Sequence, residues 1–118
     1  KINIARERSF DALKLAYQAG LKIASGSDLL GPLQVHKARE LSLKAQVLSP
    51  MEALLSATKV NAELFRLQHE IGSIEPGKYA DLLVVQGNPL ADLSLFENYR
   101  ENIRLIMKAG RLYKNLLN

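Results

Sequence analysis

Residues 21–28, "LKIASGSD", place a carboxylate at the end of a short apolar run. Where helices and strands alternate, chemistry gathers at the C-terminal ends of the strands, at the start of the loops. Asp28 occupies such a place. A carboxylate beside an apolar strand needs something to stabilise its charge: a metal ion, a cationic substrate or a set of backbone amides. The other reading is that Asp28 caps the loop, as aspartate often does beside glycine and serine. His36 and Glu40 follow, four residues apart, on a stretch that reads as helical. Helical side chains lean toward the N-terminus, so His36 points back at the loop. It either contacts a substrate there or is a surface histidine paired with Glu40, which itself reads as structural. His69 falls in a linker and reads as solvent-exposed. Asp81, at the start of a later strand, reads as an acid that fixes a turn or pairs with a base. Neither an HxH nor an HExxH pattern occurs.

The elements that must position these residues follow from pattern. Residues 5–19 read as a helix, with Phe10, Leu13 and Tyr17 on one face and Gly20 as a left-handed cap. The chain then turns directly into residues 21–27, a short buried strand. "LLGPLQ" (29–34) is a loop broken at Gly31-Pro32. A second helix is expected over 33–46, where Ala38, Leu41 and Ala45 repeat and Glu40 and Lys44 form an i,i+4 pair. "SPMEALLSATKVNAELFRL" (49–67) reads as one long helix. Ser49 is its N-cap, Pro50 its first position, and Glu52 completes a capping box. Two apolar faces suit a helix wedged between layers.

After Leu67 the texture becomes β-like. Two runs flank Glu75-Pro76-Gly77-Lys78, where proline then glycine specify a type II turn. Leu82 to Val85 are continuously apolar, as for a strand covered on both faces. "NIRLIMK" alternates, and Ala109-Gly110 is a two-residue hairpin loop before Arg111 to Tyr113 return. One strand cannot make a sheet, so the chain reads as the tail of something larger.

The bulk numbers limit the function classes. The chain has 118 residues, enough for one ordinary domain, and 47% of them are hydrophobic, enough for a core. Its formal charge of +4 comes from scattered side chains, with no basic run interleaved with aromatics, so no nucleic-acid partner is expected. Cysteine is absent, which removes disulfides and thiolate metal sites and suits a cytoplasmic location. No stretch approaches the roughly 20 apolar residues that span a bilayer, so no membrane partner is expected. The chain lacks an initiator methionine and reads as beginning inside a longer one.

"KIASGSD", "VHKARE", "LSPMEALLSATKVNAELFRL", "IGSIEPGKYADLLVVQGNPLADLSLF" and "IRLIMKAGRLYKN" occur in one collinear order. Over residues 10–114 they resemble the C-terminal part of the metal-dependent amidohydrolases, closest to the imidazolonepropionase-like branch that includes Xaa-Pro dipeptidases. Gly-Ser-Asp stands where the family more often has Gly-Thr-Asp, which keeps the hydroxyl. The resemblance implies an α/β fold: the C-terminal piece of a (β/α)8 barrel plus part of a composite β-sandwich. Residues 1–67 would supply the eighth barrel strand and the closing helices, and residues 68–118 the C-terminal sandwich strands. Asp28 matches the family's metal-ligating, proton-accepting aspartate, and the family often has a histidine and a glutamate where His36 and Glu40 stand, which implies for His36 a role in contacting the substrate or in supporting the residues that do. The implied cofactor is a divalent metal, zinc foremost, and the implied substrate a small amide, cyclic amide or dipeptide. The family's histidine ligands and bridging lysine have no counterparts here, so the chain is expected to be inactive without the remainder of its barrel. Two alternatives stay open. One is a non-catalytic module that self-associates into a homo-oligomer through uncovered apolar surface. The other is a deaminase or deacetylase of the same superfamily.

Overall fold

The computed structural model describes residues 2–117. Helix α1 (Ile2–Gln18) ends as its sequence dictates. The Gly20 N–H donates to Tyr17 O at 2.9 Å and the Leu21 N–H to Ala16 O at 3.1 Å, with Gly20 at φ +74°. This paired closure needs a left-handed residue, which glycine supplies without Cβ strain.

Residues 21–30 carry no regular secondary structure, so the expected buried strand over 21–27 is corrected. A strand exists by pairing, and among the described residues no other strand lies beside this one. Leu21 is accordingly 62% exposed. The expected helix over 33–46 is corrected too. Gly31–His36 is a 3-10 helix with proline in its first turn, and α2 covers only Arg39–Lys44. Leu33 and Val35 are exposed, so the first half has no packed face to hold an α-helical register.

The long helix over 49–67 is two. Helix α3 (Pro50–Ala57) opens on the expected capping box: the Glu52 N–H donates to Ser49 Oγ at 3.2 Å and the Ser49 N–H to Glu52 Oε2 at 3.0 Å. The run breaks at Thr58 (φ −120°, ψ −88°) and resumes as α4 (Lys59–Leu64). Thr58 Oγ1 donates to Leu54 O at 2.8 Å, the back-bonding through which threonine bends helices. Gly72 packs into the bend, where an added Cβ would lie 2.6 Å from Ala62 Cβ and 3.3 Å from Thr58 O.

Strands β1 (Leu82–Val85), β2 (Ile103–Lys108) and β3 (Arg111–Asn115) form one antiparallel sheet in that order, pairing Val84 with Leu105 and Ile106 with Lys114. Lys78 N–H donates to Glu75 O at 3.2 Å and Gly77 has φ +89°, as a type II turn requires. Ala109 (φ +48°) and Gly110 (φ +77°) form the expected two-residue hairpin loop. The β-like run before Pro76 forms no strand, and Ile74 is 82% exposed. Leu83 and Val84 of β1 are also exposed, so that strand is not covered on both faces within this chain.

The core joins the helices to the sheet. Ala53 of α3 is fully buried against Leu93 and Phe96, which a 3-10 turn (Leu93–Phe96) brings over from the sheet side. The short helix α5 (Tyr99–Asn102) leads into β2, and Asn102 Nδ2 donates to Leu95 O at 2.8 Å. No helix among the described residues is long and apolar enough to cross a membrane.

Gly72→Ala combines a left-handed backbone with a Cβ–Cβ overlap, and the expected cost is about 2–4 kcal/mol of stability. A urea titration checks this, and a midpoint equal to wild type would contradict the close approach.

Candidate functional site

The candidate site is the end of the irregular segment, and its backbone is held by side chains. Lys44, the last residue of α2, is 8% exposed although it carries an ammonium. Its Nζ donates to Ala24 O at 2.6 Å and Ser56 Oγ at 3.3 Å, and lies 2.8 Å from Glu40 Oε1. An ammonium has three protons, and these partners use all of them. Ser56, 1% exposed, passes its own proton to Ala53 O at 2.6 Å. Glu40 Oε1 also accepts the Gly26 N–H at 3.0 Å. Asn61 of α4 takes the residue between: its Oδ1 accepts the Ser25 N–H at 2.9 Å, and its Nδ2 donates to Ser25 O at 2.9 Å. Side chains from α2 and α4 therefore satisfy consecutive backbone groups of residues 24–26, which strands would satisfy in a ladder. Lys22 and Glu63 of α4 form a further ion pair.

Asp28 stands two residues beyond this clamp, exposed and at φ +51°. Aspartate tolerates that left-handed region better than most residues because its short polar side chain bonds locally. Its carboxylate is thus presented to solvent at the end of a fixed segment. His36 is exposed in the 3-10 helix and does not pair with Glu40, whose carboxylate is taken by Lys44 and Gly26. His69 is exposed, with its Nε2 3.5 Å from Gln68 Nε2. Asp81 fixes a turn: its Oδ1 accepts the Ala109 N–H at 2.7 Å, while Gly110 N–H donates to Ala80 O at 3.1 Å. Among the described residues no three His, Cys, Asp or Glu side chains come together. The donor set therefore fits one corner of a metal site and not a whole one, since hydrolytic zinc takes three protein ligands.

The electrostatics follow the clamp. Burial works to raise the Glu40 carboxyl, but hydrogen bonds from Lys44, Ser25 and the Gly26 N–H outweigh it and hold it below its ordinary 4.5. At the mouth of α3, the Tyr17 hydroxyl bonded to Glu52 raises the tyrosine and lowers the carboxylate.

The role of Lys44 goes beyond the helical pair its spacing predicted. One signal was available: Leu41, Lys44, Ala45 and Leu48 share a face, so a lysine sits on the apolar side of its helix.

Residues 2–113 match the amidohydrolase family, and the chain belongs to it. It superposes on a solved amidohydrolase at 42% identity and TM-score 0.88, covering 92% of this chain and 26% of that one. A Xaa-Pro dipeptidase with methionine in its active site aligns at 36% identity and TM-score 0.82, over 90% of this chain and 25% of that one. An adenine deaminase of Mesorhizobium japonicum is 46% identical over 67 residues, 57% of this chain and 11% of that protein. The chain thus spans about a quarter of these solved relatives and about a tenth of the deaminase.

Because the Glu40 carboxyl is depressed on folding, its stabilisation is complete above about pH 4.5 and is lost as pH falls through the lowered folded value. Glu40→Gln should flatten that part of the acid-stability curve, measured as denaturation midpoint against pH. Asp81→Ala should cost about 1–2 kcal/mol by freeing the Ala109 N–H, with no change at the Asp28 end of the molecule.

Proposed function

We propose that this chain is the C-terminal part of a metal-dependent amidohydrolase that cleaves an amide or cyclic amide carbon–nitrogen bond. In this reading residues 1–67 bring the last unit and closing helices of a (β/α)8 barrel, and residues 68–118 bring strands to a small β-sandwich. The observation that carries it is the exposed Asp28 carboxylate, set immediately beyond a segment held by Lys44, Glu40 and Asn61. The family membership and the likeness to a Xaa-Pro dipeptidase support it. In this reading the rest of the barrel would cover apolar side chains such as Leu21 and Leu30, which are exposed here.

Asp28 would hold a divalent ion, zinc foremost, together with histidines from outside these residues. Such an ion, when bound, lowers the pKa of water toward neutrality and polarises the scissile carbonyl. Asp28 then accepts the proton of the attacking water and delivers it to the leaving nitrogen, a transfer for which a carboxylate adjacent to both is suited. His36, exposed on the turn that follows, offers an imidazole to the substrate. The substrate is a small amide or an Xaa-Pro dipeptide.

A second reading within the family is deamination, favoured by the 46% identity to an adenine deaminase. The same proton transfer would then end on an exocyclic amine. Assaying the complete protein with adenine and with an Xaa-Pro dipeptide separates the two.

Asp28→Asn in the complete enzyme should abolish turnover, with loss of at least about a hundredfold, while leaving the circular dichroism spectrum unchanged. Substantial residual hydrolysis would remove Asp28 from the mechanism. The 118-residue chain alone should show no tight zinc binding by calorimetry; tight binding with turnover would overturn the reading that the site needs outside ligands. Light scattering on the same chain tests the self-associating module, which requires a discrete oligomer.

A further inference from the structure

Lys44 is a buried cation that the proposed chemistry does not use. Replacing buried ion pairs by apolar side chains of similar size is often neutral or stabilising, so stability alone gives a weak reason for this one. Its contacts suggest another. The ammonium binds Ala24 O directly at 2.6 Å and aligns Glu40, which binds the Gly26 N–H at 3.0 Å. Those groups flank Ser25, whose own N–H and C=O are bracketed by Asn61 at 2.9 Å each. The backbone is fixed through residue 26, and Asp28 follows after one residue. Ser56, itself buried, holds the ammonium from α3, so the clamp is anchored in the helix whose Ala53 forms the core.

We propose that Lys44 is a positioning residue for Asp28: with Glu40 it locks the Ala24–Gly26 backbone so that the carboxylate is delivered at a fixed place to a divalent cation. This rests on the reading of Asp28 as a metal ligand. Groups that orient metal ligands matter almost as much as the ligands, commonly 10–100-fold in affinity.

The test uses the complete protein in wild-type, Lys44→Met, Glu40→Gln and Asp28→Asn forms, loaded with zinc. It reads amide hydrogen exchange of the peptide spanning Ala24 to Asp28, zinc release to a chelator, and thermal midpoint. Lys44→Met should exchange about tenfold faster over that peptide and release zinc about tenfold faster, with the exchange of α3 unchanged. Wild-type exchange and wild-type zinc release in Lys44→Met would overturn the proposal. Faster exchange with wild-type zinc release would also overturn it, since the clamp would then be structural only. Should Lys44→Met fail to fold, Glu40→Gln decides by the same two readouts. Asp28→Asn separates the premise: if it keeps zinc as wild type does, Asp28 is not a ligand and the proposal falls with it. If it loses zinc while its exchange stays slow, the premise stands and the lysine variants judge the clamp alone.

Discussion

A lysine ammonium removed from water is the constraint around which the helical half is arranged. An unpaired charge in the interior is prohibitive, so every proton of Lys44 must meet an acceptor. The acceptors come from different parts of the chain: a carbonyl of the irregular segment, a hydroxyl of α3 and a carboxylate of its own helix. Satisfying one cation therefore fixes the relative placement of α2, α3 and residues 24–26. A leucine in its place would bury comfortably but would specify none of those directions, because hydrophobic contact is non-directional.

The same logic explains how a segment without secondary structure stays ordered. Ser25 is gripped on both its donor and its acceptor by one side-chain amide, a geometry that imitates a neighbouring strand. The sheet contributes indirectly: Leu93 and Phe96 press on Ala53, and Ser42 Oγ of α2 donates to Glu97 at 2.6 Å beside them. Helices and sheet thus share one core, and the placement of the segment that ends at Asp28 depends on both.

Features closed within a few residues were legible in the sequence. The Ser49–Glu52 box, the Gly20 closure, the Pro76-Gly77 turn and the Ala109-Gly110 loop are each decided by local sterics and hydrogen bonding. Those that depend on distant neighbours were not. Residues 21–27 have strand composition, but a ladder needs a partner. The helix pattern of 49–67 is continuous, yet Thr58 and the approach of Gly72 from beyond α4 split it. Asp28 was legible as a carboxylate after an apolar run. The set of side chains gripping residues 24–26 was not, because Asn61 and Lys44 reach them across 36 and 20 positions of sequence.

The tether from Asp81 to Ala109 makes the two tight turns of the sheet half unequal. The hairpin tip is lashed to the strand entry on both of its amides, whereas Gly77 has open space around it. Extra sequence such as a fluorophore loop, an affinity epitope or a new terminus from circular permutation would prise the first apart; at the second it meets open space only beside Gly77, because Glu75 and Lys78 are tied to Ser73 and to each other. The Pro76–Gly77 tip, and not the Glu75 and Lys78 that flank it, is thus the point of entry for engineering this half of the molecule.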